Sequence, residues 1–251
     1  MKTAVFLTIR TDSSRLPNKT LMKIGFYHII ELCIFRAKQV HADEVVLCTT
    51  YRKVDDYISM LAKNLDIKVY RGSLEDKLER WFGAAKTFNI DYFVTFDGDD
   101  LLCDTYLMNM ALIQAKECDC DMIKAPEGLI CGAFTYCIKT DVLETIISNK
   151  KTNKTEMIMP LFEGNNLDIR ELRIHDPIYF NNDIRLTLDY IEDFYFFEKI
   201  FSSFEYAYLH SLETIIPFLL ENPDIIKINS FRRKDFLNNQ AKLIKKEGNS
   251  V

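Results

Sequence analysis

The chain has no hydrophobic run long enough to cross a membrane and no excess of positive charge. None of its apolar stretches approaches the roughly 20 residues that a spanning helix needs. The first stretch, residues 4–9, is also too short for the apolar core of a secretion signal, so we expect a cytoplasmic protein without membrane insertion. With 32 Lys and Arg against 37 Asp and Glu, the net charge is −5. This balance leaves no global basic field for nucleic acid.

Clustered metal-binding or nucleophilic side chains are also lacking. The four histidines are scattered without the spacing of metal ligands, and none accompanies a serine or cysteine nucleophile motif. The seven cysteines are odd in number and lie mostly in apolar runs, which predicts reduced, buried thiols. Cys118 and Cys120 lack the two-residue gap and the second pair of a zinc site. The sequence contains neither internal repeats nor low-complexity segments.

Short apolar runs alternate with segments of helical spacing in the first half of the 251 residues. The predicted strands are residues 4–9, 45–48, 67–70 and 92–96. The predicted helices between them are residues 27–39, a segment around 57–62, and 74–86. Such alternation with continuously apolar strands predicts an α/β fold, with a mostly parallel sheet and helices on both faces.

The alternation weakens after about residue 120. Residues 121–180 contain several Pro and Gly, and we expect mixed strands and one helix at 140–149, forming an acceptor-binding or oligomer-contact region. A late strand is predicted at 184–188. The predicted helices beyond it are residues 190–201, 210–221 and 232–245. We expect a single domain over residues 1–245 and a disordered tail over 246–251.

A loop after the first predicted strand carries three fixed positive charges, at Arg10, Arg15 and Lys19. Three cations in one loop are costly unless an anion lies among them. Guanidinium groups bind phosphate oxygens bidentately, and lysine adds a point charge. Open α/β sheets bind ligands beyond the carboxyl ends of their strands, where this loop would lie. The loop therefore predicts the binding of a nucleoside triphosphate.

Three carboxylates, Asp97, Asp99 and Asp100, follow the predicted strand at 92–96. Like charges this close repel one another unless a cation lies among them. Mg²⁺ usually takes one or two protein carboxylates together with substrate phosphates, so one or two of these residues would hold a metal on a nucleotide phosphate. The alternative interpretation is a solvated acidic turn in which Gly98 has a positive φ.

Asp189 follows the predicted strand at 184–188 and has two interpretations. An aspartate before a helix commonly caps it, and Glu192 three residues later fits a capping box. A carboxylate at a strand end would instead lie on the same edge of the sheet as Asp99, and the two would share one Mg²⁺. The residues alone leave both interpretations open.

Two further strand ends carry candidate ligand contacts. Arg71, Gly72 and Ser73 follow the strand at 67–70. Glycine permits a close approach of the backbone, and the arginine suits a phosphate or a base. Ser73 equally suits an N-cap of the helix at 74–86. Thr49 follows the strand at 45–48 and suits a base edge, although an ordinary turn would have the same residues.

These blocks resemble the cytidylyltransferases that activate sugar acids, and in particular their spore-coat polysaccharide F-type branch. The resemblance spans roughly residues 1–230. The segments that carry it are Arg10-x-x-x-Ser14-Arg15-Leu16-Pro17-x-Lys19-x-Leu21, Asp55-Asp56, Arg71-Gly72-Ser73, Leu78-x-Arg80, Gly98-Asp99-Asp100, Pro126-Glu127-Gly128-Leu129, Thr155-Glu156 and Arg185-Leu186-Thr187-Leu188-Asp189-x-x-Glu192-Asp193. The resemblance implies a Rossmann-like nucleotidyltransferase fold and CTP as the donor.

The resemblance also implies site roles. Arg10, Arg15 and Lys19, with Ser14 in the same loop, would bind the triphosphate, and Arg15 and Lys19 would act in catalysis. Asp99 and Asp189 would bind Mg²⁺.

Three departures from the family's pattern bear on the acceptor. Leu101 stands where the family usually has proline, and Met157 follows Glu156 where the branch usually has histidine. Gly25-Phe26-Tyr27 replaces a common Gly-Lys-Pro. Leu101 and Met157 would lie where an acceptor is recognised, so the departures leave the acceptor open while the donor chemistry stands.

The resulting hypothesis is a CTP-dependent cytidylyltransferase in capsule or surface polysaccharide biosynthesis. It would transfer CMP to a phosphorylated metabolite such as glutamine phosphate, or to a 2-keto-3-deoxy sugar acid, and release pyrophosphate. The resemblance and the aromatic segment 194–197 indicate a homodimer, although the same segment equally suits the core. The alternatives are a glycosyltransferase that uses Asp97-Gly98-Asp99 as an Asp-x-Asp metal motif, and a non-catalytic nucleotide-binding homologue.

Overall fold

A seven-stranded, mostly parallel sheet forms the centre of the computed structural model, which describes residues 1–13 and 15–248, with side chains through residue 244. The strands of the chain are β1 (Thr3–Thr8), β2 (Lys23–Ile24), β3 (Tyr27–His28), β4 (Glu44–Thr50), β5 (Lys68–Gly72), β6 (Tyr92–Asp97), β7 (Met122–Lys124), β8 (Tyr136–Lys139) and β9 (Ile169–Glu171). Their order in the sheet is β5-β4-β1-β6-β8-β7-β9, and β8 is antiparallel to both of its neighbours. β2 and β3 form a separate two-stranded ribbon.

Helices cover both faces of this sheet. They are α1 (Ile29–Ala37), α2 (Asp56–Asn64), α3 (Lys77–Phe88), α4 (Thr105–Cys118), α5 (Thr140–Asn149), α6 (Met159–Glu163), α7 (Ile191–Ser203), α8 (Leu212–Glu221), α9 (Pro223–Ile226) and α10 (Arg233–Gly248). Alternate residues of β1 enter two separate apolar clusters. Val5 and Leu7 pack with α1, α2 and α4, whereas Ala4 and Phe6 pack with α3 and α5. Both faces of β1 are therefore buried, which confirms the predicted α/β class.

The predicted late strand at 184–188 is wrong as a strand. The segment is buried and extended, but its one ladder contact is an isolated bridge between Arg185 and Cys131. The backbone amides of Leu186 and Leu188 donate to the carbonyls of Cys131 and Asp99, which belong to loops. Apolar residues alone did not reveal that the neighbours of this segment are loops. The extended path still ends at the edge where β6 ends.

Helix α4 was not predicted, although its signal is in the sequence. Asp104 caps it by accepting hydrogen bonds from the amides of Tyr106 and Leu107. The same carboxylate accepts from the amide of Leu212 at the start of α8, which ties the two helices together. Asp104 is fully buried, so this cap also anchors the second half of the chain to the first.

Several other expectations need correction. Cys118 and Cys120 form a disulfide rather than two reduced thiols; their Cα atoms are 5.1 Å apart, and Asp119 between them has a left-handed conformation. Helix α10 continues to Gly248, so the tail predicted from residue 246 begins inside a helix; residues 249–251 lie outside the described part. Within residues 194–197, three rings pack in the chain's own core and Tyr195 is exposed, which agrees with the core interpretation of this segment; the homodimer stays a prediction.

Among the described residues, no helix combines the length and the apolar character that crossing a membrane would require.

Candidate active site

Two adjoining cavities lie beyond the carboxyl ends of β1 and β6. The loop cavity, of about 500 Å³, is lined by the first loop (Arg10, Asp12, Arg15, Lys19), by Leu74, Glu75 and Arg80, and by the end of β6. The helix cavity, of about 400 Å³, is lined by residues 125–136 and 156–159, by Thr187 and Asp189, and by α10. Both cavities share Arg15, Asp97, Asp99, Glu156 and Leu243. The shared residues make one cleft with two compartments.

Lys19 lies at the junction of the two predicted metal-binding aspartates. Its Nζ is 3.0 Å from Oδ2 of Asp99 and 3.5 Å from Oδ1 of Asp189, and it donates to the carbonyl of Leu188 at 2.6 Å. Burial acts to lower the pKa of Lys19, but the two carboxylates outweigh it and the pKa is raised. Lys19 is therefore a fixed cation.

Arg15 completes this cluster from the first loop. Its Nη2 donates to Oδ1 of Asp189 at 2.5 Å. Arg10 lies further out, where its guanidinium pairs with Glu156 at 3.4 Å and donates to the carbonyl of Leu74. The three predicted phosphate-binding cations thus line one compartment, the loop cavity. Ser14 lies outside the described residues.

Asp189 does not cap the helix that follows it. The carboxylate of Asp193 accepts hydrogen bonds from the amides of Asp189 and Tyr190, at 2.8 and 2.9 Å, and so occupies the start of α7. Oδ2 of Asp189 accepts instead from Nη2 of Arg185 at 3.0 Å. Burial acts to raise the pKa of Asp189, but Lys19 and Arg15 outweigh it and hold the pKa below its usual value. The helix-cap interpretation is therefore wrong, and the carboxylate faces the cleft.

The turn after β6 is not a solvated loop. Gly98 does not have a positive φ; it is needed because a Cβ there would lie 2.3 Å from Cγ1 of Ile9. Asp100 is buried, and burial raises its pKa well above the usual value, with further repulsion from Asp99. Leu101 is fully buried in the core, so the expectation that it contacts an acceptor is wrong.

A divalent metal fits the donor set that Asp99 and Asp189 provide. A single cationic group, Nζ of Lys19, already contacts both carboxylates. Among the described residues, no three His, Cys, Asp or Glu side chains converge in a metal-binding arrangement. Two carboxylates are the usual protein share of a Mg²⁺ site whose remaining ligands are phosphate oxygens and water. The chemistry of the site therefore suits a metal that arrives with a nucleotide.

The four predicted contacts at the ends of β4 and β5 line neither cavity. Arg71 pairs with Asp56 at 2.6 Å and donates to the carbonyls of Thr50, at the end of β4, and Arg52. Thr49 is fully buried, and Gly72 packs against Arg80. Ser73 accepts from the amide of Asp76 but does not cap α3. Nucleotide contact by Thr49, Arg71, Gly72 and Ser73 stays a prediction.

Asp76 is the actual cap of α3, and it also positions the loop that carries Glu156. Its Oδ1 accepts from the amide of Glu79 and from the hydroxyl of Thr155, both at 3.1 Å, and its Oδ2 pairs with Lys150. Glu156 follows directly and faces the first loop. Burial acts to raise the pKa of Glu156, but Lys77, Arg10 and Arg80 outweigh it and the pKa is lowered.

The contribution of Lys77 and of helix α10 to the site was missed by the sequence analysis, although the helix itself was predicted at 232–245. Lys77 opens α3 and lines the helix cavity, where its ammonium pairs with Asp97 at 3.0 Å. α10 contributes Phe236, Asn239, Gln240 and Leu243 to the same cavity. The ring of Phe236 stacks 4.4 Å from the guanidinium of Arg185, and this contact packs α10 against the segment that carries Asp189. No local motif marks either feature, because each depends on contacts between distant segments.

The topology, the cationic loop after β1 and the paired aspartates define a nucleotidyltransferase. A solved structure from Leptospira borgpetersenii, described as a cytidylyltransferase, superposes with a TM-score of 0.82 at 25% identity, covering 90% of this chain and 97% of that one. A CMP:2-keto-3-deoxy-manno-octonic acid synthetase solved with CTP has a TM-score of 0.64 at 15% identity, covering 81% of this chain and 99% of that one.

The chain belongs to the cytidylyltransferase family. The model of that family, described as Cytidylyltransferase, matches residues 4–195. An uncharacterized protein of Methanocaldococcus jannaschii is 31% identical over 94% of this chain and 98% of its own length. The spore coat polysaccharide biosynthesis protein SpsF of Bacillus subtilis is 24% identical over 86% of this chain and 92% of its own length. The predicted family and branch are confirmed. The family match ends before α10.

Proposed function

We propose that this protein transfers CMP from CTP to a small acceptor and releases pyrophosphate. The observation that carries the proposal is the convergence of Arg15 and Lys19 with Asp99 and Asp189 at the boundary between two compartments. The loop cavity holds the cations that suit a triphosphate, which leaves the helix cavity for the acceptor. The CTP found in the structurally similar synthetase supports the choice of donor.

The reaction is an in-line displacement at the α-phosphorus. An acceptor oxygen forms a bond to this phosphorus, and the bond to the bridging oxygen breaks, so pyrophosphate leaves with that electron pair. Arg10, Arg15 and Lys19 bind the β- and γ-phosphates and neutralise the charge that develops on the leaving group. To do so, Arg10 exchanges Glu156 for phosphate, and Lys19 and Arg15 shift from the carboxylates toward phosphate oxygens.

Asp99 and Asp189 would hold the divalent metal, for which we propose Mg²⁺. When bound, the metal polarises the phosphoryl oxygens and offsets their charge. Buried Arg185 keeps Asp189 turned toward the cleft through its 3.0 Å contact. Positioning and charge neutralisation supply most of the rate in such transfers, so the protein needs no nucleophile of its own.

The acceptor proposed is a phosphorylated metabolite such as glutamine phosphate or a 2-keto-3-deoxy sugar acid. A phosphate oxygen is ionised already and needs no base, whereas a sugar hydroxyl must lose a proton. The similarity to SpsF supports a place in surface polysaccharide biosynthesis. A cytoplasmic location and a homodimer belong to the same proposal.

The deciding experiment is calorimetric titration of the protein with the four ribonucleoside triphosphates and with UDP- and GDP-sugars, each with Mg²⁺. We expect CTP to bind most tightly and its binding to depend on Mg²⁺. Lys19→Met should lower the rate of pyrophosphate release by about 10²–10³, since it removes one fixed donor to the leaving group. Preferential binding of a sugar nucleotide would contradict the proposal and favour a glycosyltransferase.

A further inference from the structure

Lys77 presents unpaired hydrogen-bond donors to the helix cavity. The residue is 8% exposed, and its ammonium lies 4.9 Å from the ring centre of Trp81. Among the described residues, its one hydrogen bond goes to Oδ1 of Asp97, at 3.0 Å. An ammonium carries three N–H donors, so two remain for a ligand. A buried charge with incomplete pairing lowers the stability of the folded protein. The two remaining N–H donors of Lys77 form no further hydrogen bond among the described residues that would offset this cost.

The surroundings of Lys77 make it the cation best placed for an acceptor. Among the described residues, the charged groups that line the helix cavity are two cations, Arg15 and Lys77, and the carboxylates of Asp97, Asp99, Asp100, Glu156 and Asp189. Arg15 pairs with Asp189 at 2.5 Å, and the proposed function assigns it to the triphosphate once CTP binds. The rest of the wall near residues 125–136 and 156–159 is mostly apolar, with Phe134, Ile158 and Met159 among its members. Within the described part of the chain, Lys77 is therefore the cation available to an anion that enters this cavity.

Asp97 supplies the complementary acceptor. Its second carboxylate oxygen, Oδ2, makes no hydrogen bond among the described residues, and its side chain remains 27% exposed at the cavity wall. The pair thus offers two N–H donors beside one free carboxylate oxygen. Such a pair matches a ligand in which an anionic group adjoins a hydrogen-bond donor. The anion would accept from Lys77, and the donor would bind the carboxylate of Asp97.

We propose that Lys77, positioned by Asp97, binds an anionic group of the acceptor that is separate from the oxygen that attacks CTP. This inference rests on the proposed function and narrows its acceptor to a molecule with a carboxylate or phosphate beside a hydroxyl or ammonium group. Both a 2-keto sugar acid and an amino-acid-derived phosphate have this chemistry. A neutral analogue would leave the donors of Lys77 unpaired and bind about 10- to 100-fold more weakly.

The test compares the wild-type protein with Lys77→Met and with a control, Lys86→Met. Lys86 lies on the exposed face of the same helix and lines neither cavity. The probes are 3-deoxy-manno-octulosonate, its neutral methyl ester and glutamine phosphate. Methyl-¹³C methionine labelling reports binding directly, because Met157 and Met159 line the helix cavity. Calorimetry with CTP and Mg²⁺ is run on all three proteins.

We expect at least one anionic probe to shift the Met157 or Met159 resonances of the wild type. Its dissociation constant should rise about 10- to 100-fold in Lys77→Met and stay unchanged in Lys86→Met. The probe that binds shows whether the anionic group of the acceptor is the carboxylate of a sugar acid or the phosphate of a phosphorylated metabolite.

Equal binding of an acid to Lys77→Met, equal binding of the neutral ester, or no shift with either acid overturns the inference. A failure of the proposed function is a separate result, seen as absent CTP binding by the wild type. The methionine titration can be read without nucleotide, so it still tests Lys77 in that case.

Discussion

Replacing Asp189 with asparagine should damage both stability and catalysis, because three cations share its carboxylate. The side chain is 2% exposed, with Arg15 and Lys19 at Oδ1 and Arg185 at Oδ2. Asparagine keeps the volume but removes the charge. The substitution therefore leaves three positive groups beside a neutral amide. The NH₂ group of the asparagine would also face N–H donors of these cations, where the aspartate had an acceptor oxygen.

The size of the effect follows from what each cation retains. Removing one partner of a buried ion pair costs about 3–5 kcal/mol. Lys19 keeps Asp99, Arg185 keeps Asp193, and the Arg15 side chain is 35% exposed and can rehydrate. We therefore expect the lower end, a loss of about 3 kcal/mol in the free energy of unfolding. The rate of pyrophosphate release should fall by about 10²–10³ even at saturating Mg²⁺.

Urea unfolding at neutral pH measures the first quantity, and a coupled pyrophosphate assay measures the second. Asp183→Asn is the matched control, because Asp183 is exposed in the same segment and makes no ion pair among the described residues. A variant as stable as this control, with near-normal turnover, would refute the reasoning and reduce Asp189 to a structural residue of the segment.

Three further outcomes test the electrostatics and packing of the cleft. Because the folded pKa of Asp189 is lowered, its stabilisation is complete above the unfolded value of about 3.9 and is lost as the pH falls through the folded value. The stability gap between wild type and Asp189→Asn should therefore narrow below about pH 4 in urea titrations; a constant gap would contradict this. Glu156→Gln frees Arg10 from its 3.4 Å ion pair and removes about 1 kcal/mol of repulsion between the carboxylate and the triphosphate. Calorimetry should therefore show CTP binding about fivefold more tightly. The control Glu163→Gln, at an exposed residue, should leave CTP affinity unchanged. Gly98→Ala places a Cβ 2.3 Å from Cγ1 of Ile9 and should lower the free energy of unfolding by about 1–3 kcal/mol. A variant as stable as the wild type would contradict this and show that the turn or Ile9 can move to accept the methyl group.

Much of the fold was predictable because its strands are marked by short apolar patterns in the local sequence. The strands predicted at 4–9, 45–48, 67–70 and 92–96 overlap β1, β4, β5 and β6 to within a few residues. The runs at 4–9, 45–48 and 92–96 are apolar and buried inside a sheet covered on both faces, whereas 67–70 alternates and forms the half-buried edge strand β5. Their parallel arrangement places the strand ends on one edge, so the first loop and the residues after β6 were expected to meet there.

The sequence by itself therefore determined the fold class and the family, and it pointed to the cationic loop and the two aspartates that the structure brings together. Tertiary structure decided what each side chain faces. Asp189 could cap a helix or enter the cleft, and the competing carboxylate of Asp193 settles this by taking the amides at the start of α7. Lys77 meets Asp97, and Glu156 meets Arg10, across long stretches of chain that no local periodicity relates. Local patterns record which face of an element is buried, whereas pairing between distant charges depends on how the elements pack.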